Sequence, residues 1–160
     1  MDIESVKLEF PEGTNIIFGQ SHFVKTIEDL HEAMVNSVPS AKFGAAFSEA
    51  SIQRLVRFSG TDAGLAKLAA ENLLRVGCGH CFLIIMRDCY PINVLGAIKN
   101  VCEVVNIFCA TANPVEVVVA RKENAGAVLG VFDGLSPVGI EDENGIKWRK
   151  EWIRNFGYKL

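Results

Sequence analysis

Apolar and polar positions alternate along this chain with two periodicities, one of two residues and one of three to four. The two-residue periodicity is typical of half-buried strands, and the longer one is typical of helices that bury one face. The run at 82–86 is apolar throughout, which is typical of a strand buried on both faces. The pattern predicts strands at 3–10, 15–19, 42–47, 52–58, 82–87, 104–110, 115–121 and 127–132, and helices at 23–38, 65–76, 91–98 and 142–156.

Strands and helices are interleaved along the sequence, and some neighbouring strands are separated by only a short turn. A turn at Pro11-Glu12-Gly13 separates the first two predicted strands, which we expect to pair as a hairpin. The alternation predicts an α/β layered sandwich, with a mixed β-sheet and helices on its faces. A length of 160 residues and an apolar content of 49% suit a single domain, residues 1–160, with a full hydrophobic core.

The charge of the chain narrows the classes of partner. A net charge of -3, from 16 basic and 19 acidic residues, argues against a nucleic-acid-binding surface. No apolar run is long enough to span a membrane and no signal-peptide pattern is found, so we expect a cytoplasmic protein without a membrane partner. The five cysteines fit small buried residues in a reducing compartment.

The segment from Gly77 to Cys81 stands between a predicted helix and the apolar strand. Gly77 and Gly79 can adopt conformations that other residues avoid, so they can form a tight turn with exposed amides. A hollow lined with amides suits an anion, and His80 would stand at its edge. The alternative interpretation is a glycine-terminated helix, a short turn and a partly buried histidine.

The same segment contains Cys78-Gly79-His80-Cys81, which matches the C-x-x-C pattern of thiol–disulfide exchange enzymes. That chemistry requires the first cysteine at the start of a helix, where the helix dipole stabilises a thiolate. Here the motif follows a helix and enters a strand, so the dipole has the wrong direction. A zinc site at these residues and Cys89 lacks a second pair of ligands, and no serine-hydrolase or Walker A motif is present.

A histidine nucleophile fits the segment from Gly77 to Cys81 better than dithiol exchange or a zinc site does. The unperturbed pKa of histidine is about 6.5, so a neutral imidazole is available at neutral pH to accept a phosphoryl group. This reaction needs amides or cations around the phosphate and carboxylates to hold Mg²⁺. Gly77 and Gly79 could supply the amides. The candidate cations are Lys99 and Arg57, and the candidate metal-binding carboxylates are Glu49, Asp62, Asp88 and Asp133.

Longer motifs lie downstream of His80. They are Tyr90–Leu95 (YPINVL), Ala97–Val101 (AIKNV), Ile107–Pro114 (IFCATANP), Gly130–Gly134 (GVFDG), Ser136–Pro137 and Gly157–Leu160 (GYKL). Together with Gly79-His80 and Asp88, they closely resemble the adenosine-specific kinase family, a small archaeal and bacterial family. The resemblance covers nearly the whole chain. Cys78 departs from the family pattern, where a small residue such as alanine is expected, and so does Leu135, where phenylalanine is expected.

The resemblance implies an α/β sandwich that forms homo-oligomers, binds adenosine and adenine nucleotides, and carries a stably phosphorylated histidine. That histidine would be His80, and the cofactors of the phosphotransferase would be ATP and Mg²⁺. Adenosine would bind near Asn113 and the loop at 133–137. The predicted catalytic residue is therefore His80, no metal ligand is assigned, and the predicted nucleotide-binding residues are Gly77, Gly79, Asp88, Asn93, Lys99, Asn113, Asp133 and Ser136.

Three hypotheses for the function follow. The first is a nucleotide-dependent phosphotransferase in which His80 carries the phosphoryl group. The second is a non-catalytic sensor of adenine nucleotides, which uses the same pocket and holds phosphohistidine as a slow state. The third is a dithiol oxidoreductase that uses Cys78 and Cys81.

Overall fold

A computed structural model describes residues 1–160 and contains eight strands and four helices. The strands are β1 (Asp2–Lys7), β2 (Asn15–Ser21), β3 (Lys42–Ser48), β4 (Val56–Gly60), β5 (Cys81–Arg87), β6 (Val104–Thr111), β7 (Val115–Lys122) and β8 (Ala125–Asp133). The helices are α1 (Thr26–Ser37), α2 (Ala63–Val76), α3 (Pro91–Lys99) and α4 (Glu143–Asn155). The predicted α/β layered sandwich is confirmed.

The strands form two sheets. Five strands form the larger sheet in the order β4-β3-β5-β2-β6, and three form the smaller sheet in the order β1-β7-β8. Helices α1 and α3 pack together on one face of the larger sheet, and α2 packs on its other face, in the same core as the smaller sheet. The sandwich is thus built in layers around the larger sheet.

Strand β5 lies at the centre of the larger sheet because its side chains are apolar on both faces. Phe82, Ile84 and Met86 point into the cluster with α1 and α3. Leu83 and Ile85 point into the cluster shared with α2 and the smaller sheet. All five side chains are fully buried. Side chains alternate between the faces of a strand, so a central strand needs this continuous apolar run.

Helix α2 begins and ends where the sequence indicates, and it packs unusually close to β3. Asp62 caps its first turn by accepting a hydrogen bond from the amide of Leu65. Gly77 follows its last turn in the left-handed conformation, with φ +59°. Gly44 allows the close approach of helix and strand, because a Cβ at that position would lie 2.0 Å from the nitrogen of Ala66.

Three expectations about the strands are wrong. Strand β1 does not form a hairpin with β2: it pairs with β7, and the chain crosses between the sheets at Leu8, whose buried side chain fills the core there. The strand predicted at 52–58 begins only at Val56, because Ile52 and Arg54 have φ of 60° and 52°. Pairing is antiparallel throughout both sheets, without the parallel pairs of a mixed sheet.

After β8 the chain leaves the sandwich as an extended segment followed by α4. We refer to residues 134–160 as the C-terminal arm. In the extended segment, Leu135, Val138 and Ile140 are 98%, 105% and 100% exposed. No residue of α4 is buried, although this helix carries Trp148 and Trp152. Neither α4 nor any other helix combines the length and the apolar character needed to cross a membrane.

Candidate functional site

His80 lies at one end of the larger sheet, immediately before β5. Its main chain is fixed on both sides: the amide donates to the carbonyl of Ser48 at 2.7 Å, and the carbonyl accepts from the amide of Ser21 at 2.9 Å. The residue has a left-handed conformation, with φ +61°. The imidazole stacks on the ring of Phe47, with the ring centroids 6.0 Å apart, and it is half-buried. Histidine is therefore held rigidly here, with its ring nitrogens free of hydrogen bonds within the chain.

A cavity of about 420 Å³ opens beside the imidazole. Volumes of this order suit small-molecule ligands. Its aromatic lining comes from His22, Phe23, Phe47 and His80, and its other lining residues are Val24, Glu49, Ser51, Ile52, Gln53 and Arg57. The cavity thus combines flat rings that can stack on a nucleobase with polar and cationic groups that can bind phosphate.

The turn that leads into α1 contributes backbone donors to this cavity. The amides of Phe23, Val24 and Lys25 donate no hydrogen bond within the protein, although the carbonyls of these residues all accept one. Phe23 and Val24 line the cavity directly. The first turn of a helix carries a partial positive charge, and its free amides bind anions such as phosphate. The free amides here lie just before α1, because the first amides of the helix itself donate to the carbonyls of residues 23–25. They are candidate donors for an anion next to His80.

Lys25 and Glu103 fix this turn against the start of β6. The carbonyl of Glu103 accepts from the amide of His22 at 3.2 Å, and its Oε1 accepts from Lys25 Nζ at 2.9 Å. Lys25 also forms an ion pair with Asp29, one turn further along α1. Hydrogen bonds to Asp29 and Glu103 raise the pKa of Lys25, so the amine stays charged. The turn is held by main-chain and ionic contacts together.

An ion pair between Glu49 and Arg57 lies on another wall of the cavity. The amide of Leu55 donates to Glu49 Oε2 at 2.9 Å, and Arg57 Nε donates to Oε1 at 2.9 Å. These two contacts hold the pKa of Glu49 below its ordinary value of 4.5. Arg57 also donates to the side chain of Gln53. The guanidinium is thus positioned at the cavity, and both oxygens of Glu49 are occupied.

The buried polar atoms without a hydrogen-bond partner all belong to residues around His80. They are the hydroxyls of Ser21 and Ser48 and the Oε2 atom of Glu103. Ser21 and Ser48 are also the residues whose main chains bond to that of His80. Ser48 lines the cavity on the α2 side of the sheet. An unsatisfied buried polar group costs about 1–3 kcal/mol. A functional role, local strain, or a bound water or ion can account for such a group in a native structure.

The structure separates most of the predicted nucleotide-binding residues from His80. Asp88 follows the opposite end of β5, roughly 25 Å away along the strand. Asn113 lies at that far end too, because it follows Thr111, and Thr111 and Ile85 both pair with Ile16. Asp133 lies beside it, since Asn113 donates to its side chain. Within one chain, these residues do not share a pocket with His80.

The far residues have local structural contacts. The Oδ1 atom of Asn93 accepts from the N-cap amide of α3 at 2.9 Å. Asn113 donates to Asp133 Oδ1 at 3.1 Å. Lys99 ends α3 and lines a separate cavity along β6, of about 520 Å³. Ser136 is exposed in the C-terminal arm. The contacts of Asn93, Asn113 and Asp133 explain these three residues without reference to a ligand.

The two predicted glycines lie at the same end as His80, but on the α2 side of the sheet. The carbonyl of Gly77 accepts from Arg121 Nη1 at 3.0 Å. Gly79 packs on Ala50, whose Cβ would lie 2.6 Å from a Cβ at this glycine. Both glycines and Cys78 line a second cavity of about 460 Å³. They shape the turn before His80, while the free amides of the neighbouring cavity come from the start of α1.

The cysteines of the C-x-x-C motif are free thiols in the core. Cys78 and Cys81 are each 2% exposed. Helix α2 ends at Val76, so the motif follows a helix C-terminus, as the sequence predicts. The interaction between the two neighbouring thiols lowers the pKa of Cys78, and together with burial it raises the pKa of Cys81. A buried pair without a helix N-terminus does not favour exchange with an external disulfide.

The fold and its histidine-bearing cavity define a layered α/β protein, and comparisons with known proteins give its family. The family model described as adenosine specific kinase matches residues 6–159, so the chain belongs to the adenosine specific kinase family. This confirms the resemblance drawn from the motifs downstream of His80. The fold is shared with the PH1918 protein from Pyrococcus horikoshii OT3, which is known from a crystal structure. The two proteins are 44% identical in sequence and superpose with a TM-score of 0.95, and the match covers 99% of this chain and 98% of that one. A comparison with curated proteins gives no match.

Proposed function

We propose that the protein transfers a phosphoryl group from ATP to adenosine, with His80 as the carrier and the cavity beside it as the nucleotide site. The observation that supports this most is the convergence of a free imidazole, the amides of Phe23 and Val24, and Arg57 on one cavity. Helix-start amides and a guanidinium bind phosphate, and a neutral imidazole can accept a phosphoryl group from it. The name of the family agrees with this substrate class.

The transfer takes place in two half-reactions. In the first, an imidazole nitrogen of His80 attacks the γ-phosphorus of ATP, the bond to the bridging oxygen breaks, ADP leaves, and the proton on the other ring nitrogen passes to water. In the second, a hydroxyl oxygen of adenosine attacks the same phosphorus, the P–N bond breaks, and the hydroxyl proton passes to the ring, which restores the neutral imidazole. Arg57 and the amides of the α1 turn would stabilise the charge on the transferring oxygens in both steps.

Magnesium would enter this site with the triphosphate. The carboxylate that lines the cavity, Glu49, already has both oxygens engaged. No group of three or more His, Cys, Asp or Glu side chains is placed to hold a metal ion. Mg²⁺ commonly keeps water and substrate phosphate oxygens as ligands. We therefore propose that the nucleotide and water, rather than a cluster of side chains of this chain, would supply the ligands of Mg²⁺.

Incubation of the full chain with γ-labelled ATP and Mg²⁺ tests the proposal. We expect an acid-labile label on the wild-type protein, which moves onto adenosine when adenosine is added. The label should be lost in His80→Ala and kept in His31→Ala. His31 is a suitable control because it lies on α1 outside the cavity, where its ring is bonded to Ser59.

The outcomes separate the competing functions. A wild-type protein that never becomes labelled would remove the role proposed for His80. A label that forms on His80 but never reaches adenosine would support the nucleotide sensor, in which phosphohistidine is a slow state. A label that survives His80→Ala would place the carrier elsewhere in the chain.

A further inference from the structure

A pair of buried thiols flanks the turn that carries His80, and the proposed phosphoryl transfer does not use either of them. Gly79 and His80 form this turn, with Cys78 directly before it and Cys81 directly after it. The Cα atoms at the ends of such a turn are less than about 7 Å apart, and disulfides span Cα separations of about 4.4–6.8 Å. Both cysteine side chains enter the same core cluster. The turn therefore places the two sulfurs where a bond between them can form.

The two thiols differ in access from outside. Each cysteine is only 2% exposed, so the active site of another protein cannot reach either sulfur. Cys78, however, lines the cavity of about 460 Å³ on the α2 side of the sheet, and Cys81 does not. A cavity of this volume admits a molecule as small as hydrogen peroxide. Cys78 is therefore the thiol that a small diffusible oxidant meets first.

Arg121 places a positive charge beside Cys78. Its Nη1 donates to the carbonyl of Gly77 at 3.0 Å, and its Nη2 pairs with Glu4 at 2.6 Å. A Cβ at Gly126 would lie 2.7 Å from Arg121 Nη1 and 2.8 Å from Cys78 Sγ. Because both atoms are so close to one point, they are less than about 6 Å apart, a distance at which an opposite charge favours the ionised form of a group. The guanidinium is thus fixed where it stabilises a thiolate.

The same surroundings give the two sulfurs different roles. The neighbouring Cys81 thiol, and after it Arg121, lower the pKa of Cys78 in spite of its burial and of Glu4. The pKa of Cys81 is raised by Cys78 and by burial. The thiolate is the form of cysteine that attacks an oxidant. Cys78 is therefore suited to react first, and Cys81 to react with the oxidised Cys78.

We propose that Cys78 and Cys81 form a peroxide-sensitive site, at which hydrogen peroxide joins the two residues in a disulfide around the His80 turn. The Cys78 thiolate attacks one peroxide oxygen, an S–O bond forms, the O–O bond breaks, and the hydroxide that leaves takes up the proton released by Cys78. The Cys81 sulfur then attacks the Cys78 sulfur, the S–S bond forms, and the S–O bond breaks. The second hydroxide leaves as water with the Cys81 proton. The two thiols lose two electrons, which reduce the peroxide to two molecules of water.

Mass spectrometry of the full chain after peroxide treatment tests this site. The parent protein carries Cys102→Ser, which removes the exposed thiol and with it cross-links between copies. After unfolding, iodoacetamide labels the thiols that remain. We expect positions 78 and 81 to lose their labels together, with a mass lower by two hydrogens, and a phosphine reductant to restore both labels. Cys109→Ser is the matched control, because Cys109 is buried in the same cluster, and it should behave as the parent.

Two alanine variants separate the roles of the thiols. Cys81→Ala should carry sulfenic acid on Cys78, trapped by dimedone, in place of the disulfide. Cys78→Ala should slow the oxidation of Cys81 by at least about tenfold, because reactivity follows the thiolate fraction. Circular dichroism checks that each variant is folded.

Three results would overturn the proposal. They are thiols at 78 and 81 that both survive peroxide in the parent, sulfinic acid on Cys78 of the parent without a disulfide, and equally fast oxidation of Cys81 in Cys78→Ala. The first two depend on the parent alone, so they decide the question even where a variant does not fold. Phosphoryl transfer enters none of these readouts, so the proposed function can fail independently.

Discussion

The imidazole of His80 stacks on the ring of Phe47 with an angle of 22° between the two planes. Phe47 is itself 1% exposed and pairs with Phe82 in the ladder between β3 and β5. The orientation of the proposed phosphoryl carrier is therefore set by a core side chain of the central sheet. Packing in the core and the chemistry of the cavity are coupled through this one contact.

The first prediction tests that coupling with Phe47→Leu. Removing the aromatic support should slow labelling of His80 by ATP, and it should cost about 1–2 kcal/mol of stability. Phe43→Leu is the matched control, because Phe43 is equally buried in the same cluster but stands at the other end of β3. Urea unfolding should give similar losses for both variants. Equal labelling rates in the two would show that Phe47 acts through stability alone.

The second prediction concerns the pH dependence of the Glu49–Arg57 pair. The pKa of Glu49 is lowered from its ordinary value of 4.5, so its charged form stabilises the folded state above that pH. This contribution is lost as the pH falls through the lowered pKa. Glu49→Gln should therefore melt below wild type at neutral pH, and the difference should shrink in acid. A difference that is constant across the pH range would show that the charge of Glu49 is irrelevant to it.

The third prediction is a pair of glycine substitutions with opposite results. Gly44→Ala places a Cβ 2.1 Å from the carbonyl carbon of Leu65 in the backbone of α2, so it should destabilise the protein by at least about 3 kcal/mol. Gly96→Ala meets nothing within 4 Å on α3 and should stabilise by up to about 1 kcal/mol, because alanine favours helix. Chemical denaturation measures both. A tolerated Gly44→Ala would contradict the close packing of α2 on β3.

The fourth prediction removes the dithiol. Cys78→Ser should keep the phosphohistidine label, since the sulfur lies on the α2 side of the sheet and the imidazole lies on the other. An insulin-reduction assay on the wild-type protein should show no activity above background. Reduction of insulin that disappears in Cys78→Ser would instead support the oxidoreductase hypothesis.

Individual strands and helices could be predicted because their signals are local. The apolar run of β5 and the cap residues Asp62 and Gly77 depend only on neighbouring positions. The pairing of strands could not be predicted in this way, because it joins residues that are distant in the sequence. Ile3, for example, pairs with Ala120, and no local pattern indicates that contact. The start of β4 was missed because Ile52 adopts a left-handed conformation that β-branched residues rarely take.

The candidate site was only partly accessible from the sequence, for a similar reason. The preceding glycines, Gly77 and Gly79, indicate His80 as a candidate, and the family motifs indicate Asn113 and Asp133. Which end of the sheet a loop occupies depends on strand direction, so the separation between these groups was not visible. The candidate anion donors at the start of α1 are backbone amides, which leave no side-chain signature in the sequence.

The main-chain bonds of His80 to Ser21 and Ser48 also limit how the protein can move during a reaction. The ends of β2, β3 and β5 would have to separate together before this residue could shift, an event close to global unfolding. Its amide should accordingly be among the slowest to exchange with deuterium. If His80 carries the phosphoryl group as proposed, the ring keeps its position, so ADP would have to leave and adenosine to enter around it, past the exposed turn at 51–55.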